Sequence, residues 1–406
     1  MGPGSPNPFD FQKLMEMLQS PEVMRMLQST GPVNIEIAKQ TAQSTATLDL
    51  ETGEQVPEPE IGPATINAFD DVVRAAQLAV AEATTISAAL SVPSRCVDRR
   101  SWTASTLVGL EPVLGSLASA LARGQAGSAD VATPEPAQMF SPDAFFGMLM
   151  QQLVPMLLGV WSGSMIGYLA HHALGQYDLP LPLAGEPEIL FVVRNVDAFA
   201  QEWSLPADEL RYALALREVV HGAQRAVPWI RERLVRLASD YVGAYEVQPD
   251  AFQAQLGAFD PSDPSSMANL EAMSDPEVLL GAMRSERQGP LLEELQRFVA
   301  VIEGYTDVVV AELGARMVGS HTRIDEALRR HRLERGEAGA FVDRLLGLQL
   351  DRDHYDAGVA FCRGVMERSD DSFDHLNRLW TSEAMVPTRP ELEAPGLWLA
   401  RIDLPQ

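Results

Sequence analysis

Apolar residues recur at helical spacing over most of the chain, and this is the feature that most restricts its fold. Residues three and four positions apart lie on one face of an α-helix, so each such segment predicts an amphipathic helix. Residues 188–193, Glu-Ile-Leu-Phe-Val-Val, are instead short, aromatic and β-branched, and they predict a strand. The sequence therefore predicts a mainly α fold with a small β component, an α+β class. The predicted helices span residues 11–28, 34–44, 65–90, 101–123, 142–174, 204–226 (with Ser204 as N-cap), 228–244, 291–313, 324–332, 339–350 and 353–366.

The length and composition of the chain indicate more than one packed unit. With 406 residues, 46% of them apolar, the chain is long for one ordinary domain and too apolar for intrinsic disorder. We predict an N-terminal helical region over residues 1–130 and a second region over residues 131–406. Residues 248–289, rich in Pro, Ser, Asp and Met, are predicted to be a loop-rich insertion in the second region. The alternative is one intertwined unit.

The net charge of −25 argues against two classes of partner. Nucleic acids require a basic binding face, and anionic membrane surfaces attract basic segments. We therefore expect neither as a partner. Cys96 and Cys362 lie far apart in the sequence, which excludes a disulfide framework and suits a reducing cytoplasm. The first residues lack the charged and apolar regions of a signal peptide, so a cytoplasmic location is expected.

One apolar stretch, residues 153–170, is about as long as the shortest membrane span. It contains Pro155 and two serines, and its glycines at positions 159, 163 and 167 recur every four residues. Small residues at this spacing let another helix approach closely, both in membranes and in buried soluble helices. We favour the buried soluble helix, because other parts of the chain are not compatible with lipid.

Two predicted helices place ionisable residues on otherwise apolar faces. At 100° per residue, Arg217 and His221 share a stripe with Leu210 and Leu214, so both side chains are predicted to point inward. A buried charge there is costly unless it is paired. In the later helix over residues 291–313, Glu303 interrupts an apolar stripe and Asp307 follows one turn on. Gly304 removes a side chain beside Glu303, as a close helix contact requires.

The segment Arg217-Glu218-Val219-Val220-His221 has the frame of the zinc metallopeptidase signature His-Glu-x-x-His, with the first histidine replaced. Together with other stretches, it resembles the zincin-like metallopeptidase type 2 family, which is common in actinobacteria and often associated with deazaflavin-coenzyme biosynthesis. The resemblance extends from about residue 31 to residue 398. It is carried by Gly31-Pro32-Val33-Asn34, Val97-Asp98-Arg99-Arg100-Ser101-Trp102, Gly167-Tyr168-Leu169, Leu174-Gly175-Gln176-Tyr177-Asp178-Leu179-Pro180, Glu303-Gly304-Tyr305, Leu345-Leu346-Gly347-Leu348, Tyr355-Asp356-Ala357-Gly358 and Asn377-Arg378-Leu379-Trp380-Thr381-Ser382.

The resemblance implies a role for each residue of this frame. His221 is implied as a zinc ligand, Glu218 as the general base and Glu303 as the third ligand, on a zincin-like active-site helix within a multi-helix assembly. Arg217 takes the place of the first ligand, and a guanidinium has no lone pair to offer a metal. We expect Arg217 to pair with Glu303 or Glu218, which leaves a salt-bridged remnant of a metal site without zinc.

Two routes to a modified metal site stay open from the sequence. Asp307 could replace the missing ligand from the helix that bears Glu303, or His171 or His172 could approach from the end of the long apolar helix. The first functional hypothesis is thus a catalytically impaired scaffold or binding protein, with a peptide or protein as its ligand. The alternative is an active metal-dependent peptidase or amidase with a modified ligand set. The sequence predicts no oligomeric state.

Overall fold

The computed structural model of the chain describes residues 31–84, 86, 90–126, 142–246, 285–333, 336–369 and 373–403. The predicted helix over residues 11–28, nearly all of the predicted insertion over residues 248–289 and the proposed boundary at residue 130 lie outside the described residues. The division into two regions therefore stays a prediction.

Helices make up most of the described chain, and the predicted mainly α fold with a small β component is confirmed. The helices are α1 (Ile35–Ala46), α2 (Pro63–Ala83), α3 (Arg99–Ala126), α4 (Pro142–Leu169), α5 (Val193–Glu202), α6 (Ala207–Ala226), α7 (Pro228–Gly243), α8 (Gln288–Met317), α9 (His321–Leu333), α10 (Gly336–Leu346), α11 (Arg352–Arg368), α12 (Asp374–Asn377), α13 (Arg389–Glu393) and α14 (Pro395–Asp403), with short 3-10 turns over Arg378–Trp380 and Glu383–Met385.

A small sheet joins two distant parts of the chain. Strand β1 (Ser94–Val97) pairs in parallel with β2 (Ile189–Val192), with Ser94 opposite Ile189 and Val97 opposite Val192. Strand β2 is buried along its length, as its apolar sequence predicted. Strand β1 was not predicted, because its four residues, Ser-Arg-Cys-Val, are mostly accessible and form a strand only by pairing with β2.

Helix α1 packs into the glycine face of α4, which is the close approach that the glycine spacing predicted. The side chain of Asn34 caps α1 by accepting a hydrogen bond from the Ile37 amide at 3.1 Å. A Cβ on Gly159 would lie 2.6 Å from the Asn34 carbonyl oxygen, and one on Gly167 would lie 2.5 Å from the Thr45 Cβ. Only glycine lets the two backbones come this close.

Among the described residues, the helix over Arg99–Arg123 is long and apolar enough to cross a membrane, by length and composition alone. Half of its most apolar segment is buried inside the protein. Some side chains of the stretch over residues 153–170 lie outside the described part of the chain, so its assignment as a buried soluble helix stays a prediction.

Helices α6 and α8 lie at the centre of the fold. Nearly every residue of α6 from Leu210 to Arg225 is buried, and so is most of α8 between Leu295 and Val309. Helix α6 contacts α2, α7, α8 and β2, while α8 also contacts α7 and α11. The approach of α11 requires Gly304, since a Cβ there would overlap the backbone of Gly358. Helices from the predicted N-terminal region thus pack on helices from the second region.

Several helix ends differ from the predictions: α2 ends at Ala83 rather than at residue 90, and α4 ends at Leu169 rather than at residue 174. Ser204 was expected to cap α6, but the helix begins at Ala207 with Pro206 as its N-cap, and Ser204 adopts a φ of 50°. Helix α10 ends at Leu346 rather than near residue 350, because Gly347 adopts a φ of 70° and the Leu348 amide donates back to the Asp343 carbonyl oxygen at 2.7 Å. This left-handed glycine is a common way to stop a helix.

Candidate functional site

The candidate site lies between α6 and α8, where Arg217 faces Glu303 and Asp307. The Arg217 Nη2 donates to Glu303 Oε2, and its Nη1 donates to Asp307 Oδ1 at 2.7 Å. The side chains of Arg217 and Glu303 are only 5% and 2% exposed. The predicted pairing of Arg217 with Glu303 is therefore present, and Asp307 accepts from the same guanidinium.

A second guanidinium, from Arg332 on α9, completes an ion network of four residues. Its Nη2 donates to Asp307 Oδ2 at 3.2 Å, and its Nη1 lies 3.5 Å from Glu303 Oε2. Burial alone would raise the pKa of Asp307, but Arg332 and Arg217 together hold it below the usual aspartate value. We call Arg217, Glu303, Asp307 and Arg332 the buried ion network; two cations here balance two anions.

His221 lies beside this network with one ring nitrogen unsatisfied. Its Nε2 is 3.6 Å from Glu303 Oε1, and both atoms are buried without a hydrogen-bond partner among the described residues. Burial, and then the nearby charges of Arg217 and Arg225, hold the pKa of His221 well below its usual value. The imidazole is therefore neutral at pH 7, and it has a lone pair available on one nitrogen.

Glu218 points to a different part of the protein. Its carboxylate oxygens accept hydrogen bonds from the backbone amides of Gln176 at 3.1 Å and Tyr177 at 3.0 Å, in the loop that follows α4. Gly175 permits this contact, because a Cβ there would overlap Glu218 Oε1. Burial raises the pKa of Glu218 to about 8, although the Tyr177 amide acts in the opposite direction. Glu218 thus anchors the loop to α6.

The same loop is also tied to α9. Asp178 Oδ2 lies 3.1 Å from His331 Nε2 and accepts from the Leu174 amide at 3.1 Å. A cavity of about 10 Å³, roughly the space for one water molecule, lies beside this pair. Its lining consists of Leu169, His172, Asp178, Leu179, His331 and Arg332.

The structure also places the residues of the two open routes to a metal site. Asp307 uses its carboxylate for Arg217 and Arg332. His171 has both ring nitrogens engaged, with Arg99 Nη1 at 3.0 Å and with the Thr45 carbonyl oxygen at 2.9 Å. His172 lines the small cavity beside Asp178. None of these three side chains places a free metal-binding atom beside His221 and Glu303.

These residues do not fit a catalytic zinc site with three protein ligands. His221 Nε2 and Glu303 Oε1 are unsatisfied, and their 3.6 Å separation would allow both to bind one ion at about 2.1 Å. A third donor is missing, since Arg217 offers only N–H groups. Within the described ranges, no three His, Cys, Asp or Glu residues are grouped so that they could hold a metal ion.

Sequence reasoning missed Arg332 as a member of the site. It lies far along the chain on a different helix, and its spacing gives no relation to residue 217. Asp178 could have been identified from the sequence, because it belongs to one of the stretches that carry the family resemblance. Its contact with His331 was not predictable from that stretch.

A central helix with a Glu-x-x-His frame, facing a glutamate on a second buried helix, defines a zincin-like class of protein. Residues 33–399 match the family model of zincin-like metallopeptidases, and the chain belongs to this family. The fold is similar to the crystal structure of "a putative hydrolase with a novel fold" from Chloroflexus aurantiacus, with a TM-score of 0.57 and 22% sequence identity. That similarity covers 92% of this chain and all of the other. No curated protein matches the chain.

Proposed function

We propose that this chain is a non-catalytic member of its family that serves as a scaffold or binding protein and holds no zinc. The observation that carries the proposal is the position of the Arg217 guanidinium, which is hydrogen-bonded to both Glu303 and Asp307. In the frame of the zinc signature, Arg217 takes the place of the first histidine. The permanent charge of an arginine there replaces the charge that a metal would supply.

The charges of the buried ion network support this proposal. Two guanidinium groups already compensate the two carboxylates, so a divalent cation would add uncompensated positive charge in a desolvated place. A zinc ion at the free Glu303 Oε1 would share this carboxylate with Arg217, which already donates to its Oε2, and would lie close to the guanidinium charge.

The orientation of Glu218 also supports a non-catalytic role. A general base must reach the proton that it removes, directly or through one water molecule. The Glu218 carboxylate is instead held by the amides of Gln176 and Tyr177. In this arrangement the residue stabilises the loop after α4.

Metal analysis of the purified protein tests the proposal. We expect much less than one zinc per chain for the native protein, even after incubation with zinc and removal of the excess. Arg217→His should then gain zinc, because it restores the third donor beside His221 and Glu303. Arg217→Met is the matched control, because it removes the same charge without adding an imidazole nitrogen that could bind zinc. This variant should stay zinc-free. Stoichiometric zinc in the native protein would refute the proposal.

One observation favours the alternative, an active metal-dependent peptidase or amidase with a modified ligand set. His221 Nε2 and Glu303 Oε1 are both unsatisfied and face each other at 3.6 Å. Under this alternative the native protein would hydrolyse peptides, and both a chelator and His221→Ala would abolish the activity. Under our proposal neither treatment changes a background rate.

We further propose that the ligand is a peptide or protein and that the chain works in the cytoplasm. The net charge of −25 supports the exclusion of nucleic acids and anionic membrane surfaces as partners. The association with deazaflavin-coenzyme biosynthesis comes from the family resemblance alone and is not part of the proposal.

A further inference from the structure

Arg225, in the last turn of α6, is a buried arginine without a hydrogen-bond acceptor at two of its nitrogens. The residue is 4% exposed, and its Nε and Nη1 have no partner in the part of the chain that the structure describes. Its guanidinium carbon lies 6.0 Å from the centre of the Tyr177 ring. An aromatic face attracts a cation but leaves its N–H groups without acceptors.

The other arginines that are buried among the described residues, Arg217, Arg233 and Arg332, are paired with carboxylates. Arg233 on α7 has a comparable aromatic contact, 5.2 Å from the centre of the Phe298 ring. It also donates to Glu294 at 2.7 Å and to Glu383 at 2.8 Å. Arg225 has the aromatic contact without the carboxylates, which leaves its charge uncompensated.

Two carboxylates of the region around Arg225 leave this side chain without a hydrogen-bond acceptor. Glu303 acts electrostatically on Arg225, but its Oε2 accepts from Arg217 and its Oε1 has no hydrogen-bond partner among the described residues. Asp178, which follows Tyr177 in the sequence, is bound by His331 and by the Leu174 amide. Neither carboxylate accepts a hydrogen bond from Arg225 Nε or Nη1.

We propose that Arg225 binds the carboxylate group of a ligand in this region. A carboxylate supplies one negative charge and oxygen acceptors for charge-assisted bonds to the guanidinium. The ligand is either a small free carboxylate or the C-terminal carboxylate of a peptide. The inference deepens the proposed binding function, but it does not depend on the metal content of the site.

Thermal unfolding in the presence of carboxylates tests this inference, because a ligand that binds only the folded state raises Tm with its concentration. We expect sodium acetate to raise the Tm of the native protein more than sodium chloride at equal ionic strength. Acetamide, which has the same shape without the charge, should have no effect. A short peptide with a free C-terminus that acts at lower concentration than acetate, while its C-terminal amide does not act, would identify the peptide terminus as the source. Equal effects of acetate and the free peptide would identify a small carboxylate.

Two variants separate carboxylate binding from a structural role. Arg225→Met should lose the acetate response and should be no less stable than the native protein without carboxylates, since it removes an unpaired buried charge. Arg233→Met is the matched control: it should keep the acetate response while its Tm falls, because it breaks the ion pairs of a buried arginine with Glu294 and Glu383. The inference is wrong if acetate has no specific effect on the native protein or if Arg225→Met keeps the same response. It is also wrong if Arg225→Met fails to fold, since Arg225 would then have a partner within the protein.

The metal analysis described above is a separate readout. If acetate has no specific effect, the carboxylate inference fails, but the proposal of a zinc-free protein is unaffected. If the native protein holds zinc, the proposed function fails, whatever the result with acetate. The two proposals therefore fail on different measurements.

Discussion

Arg217 and Glu303 form an ion pair between the two central helices, α6 and α8, and neither side chain is more than 5% exposed. The same guanidinium donates to Asp307 at 2.7 Å. A buried pair of this kind adds little stability compared with apolar residues of the same shape, but removal of one partner leaves a desolvated charge. The pair is therefore evidence that a fixed cation occupies the place of a metal ligand, rather than evidence of a large gain in fold stability.

Removal of the Arg217 charge should strongly destabilise the protein. Arg217→Met leaves Glu303 and Asp307 with Arg332 as their remaining cation, and we expect a loss of about 3–5 kcal/mol in the free energy of unfolding. Chemical denaturation measures this loss. As a control, Arg74→Met removes an arginine that is 70% exposed and paired with Asp71, and it should cost at most about 1 kcal/mol. Equal effects of the two substitutions would contradict the geometry of the network.

Gly175 should not tolerate a side chain. A methyl group there would overlap Glu218 Oε1 and displace the carboxylate from the amides of Gln176 and Tyr177. We expect Gly175→Ala to destabilise the protein by about 1–3 kcal/mol. Gly289→Ala, in the first turn of α8 with open space around its Cα, should be neutral or slightly stabilising. A neutral Gly175→Ala would show that Glu218 does not anchor the loop.

Acid should weaken the protein through Asp178. Burial alone would raise the pKa of this carboxyl, but His331 and the Leu174 amide together lower it to about 2. Because the folded pKa lies below the unfolded value, the ionised form stabilises the folded state above pH 4, and this contribution of about 2 kcal/mol is lost as the pH falls from about 4 to 2. Denaturation at several pH values should show a flatter acid limb for Asp178→Asn than for the native protein. Parallel limbs would contradict the prediction.

Glu218 should have the opposite pH dependence. Burial raises its pKa to about 8, so the folded state keeps a proton that the unfolded state loses near pH 4.5. Stability should therefore fall as the pH rises from about 4.5 to 8. Glu218→Gln cannot ionise, and its stability should vary less over this interval. If the native protein and Glu218→Gln change in parallel between these pH values, Glu218 titrates normally in the folded state.

The sequence predicted the fold class and several helices because these features depend on local patterns. The apolar spacing identified α6 and α8, and the glycines of α4 predicted a close helix contact. Strand β1 was missed, since its residues are partly exposed and its order depends on a partner strand far along the chain. The positive φ of Ser204 was not predictable either, because a serine at this place in the sequence is also typical of an N-cap.

The candidate site was predictable in part. Interruption of apolar stripes identified Arg217, His221 and Glu303, because a charge on a buried face demands a partner nearby. Arg332 joins them through tertiary packing of α9, which no periodicity encodes. The direction of Glu218 was not predictable either, since the frame of the zinc signature fixes its position on α6 but not the loop that it contacts.

Anomalous scattering at the zinc edge, from crystals of the native protein soaked in zinc, tests whether the site between His221 and Glu303 holds a metal. We expect no peak there in the native protein and a peak in Arg217→His. A native peak about 2.1 Å from both His221 Nε2 and Glu303 Oε1 would show that Arg217 does not prevent metal binding and would identify an ordinary metal centre.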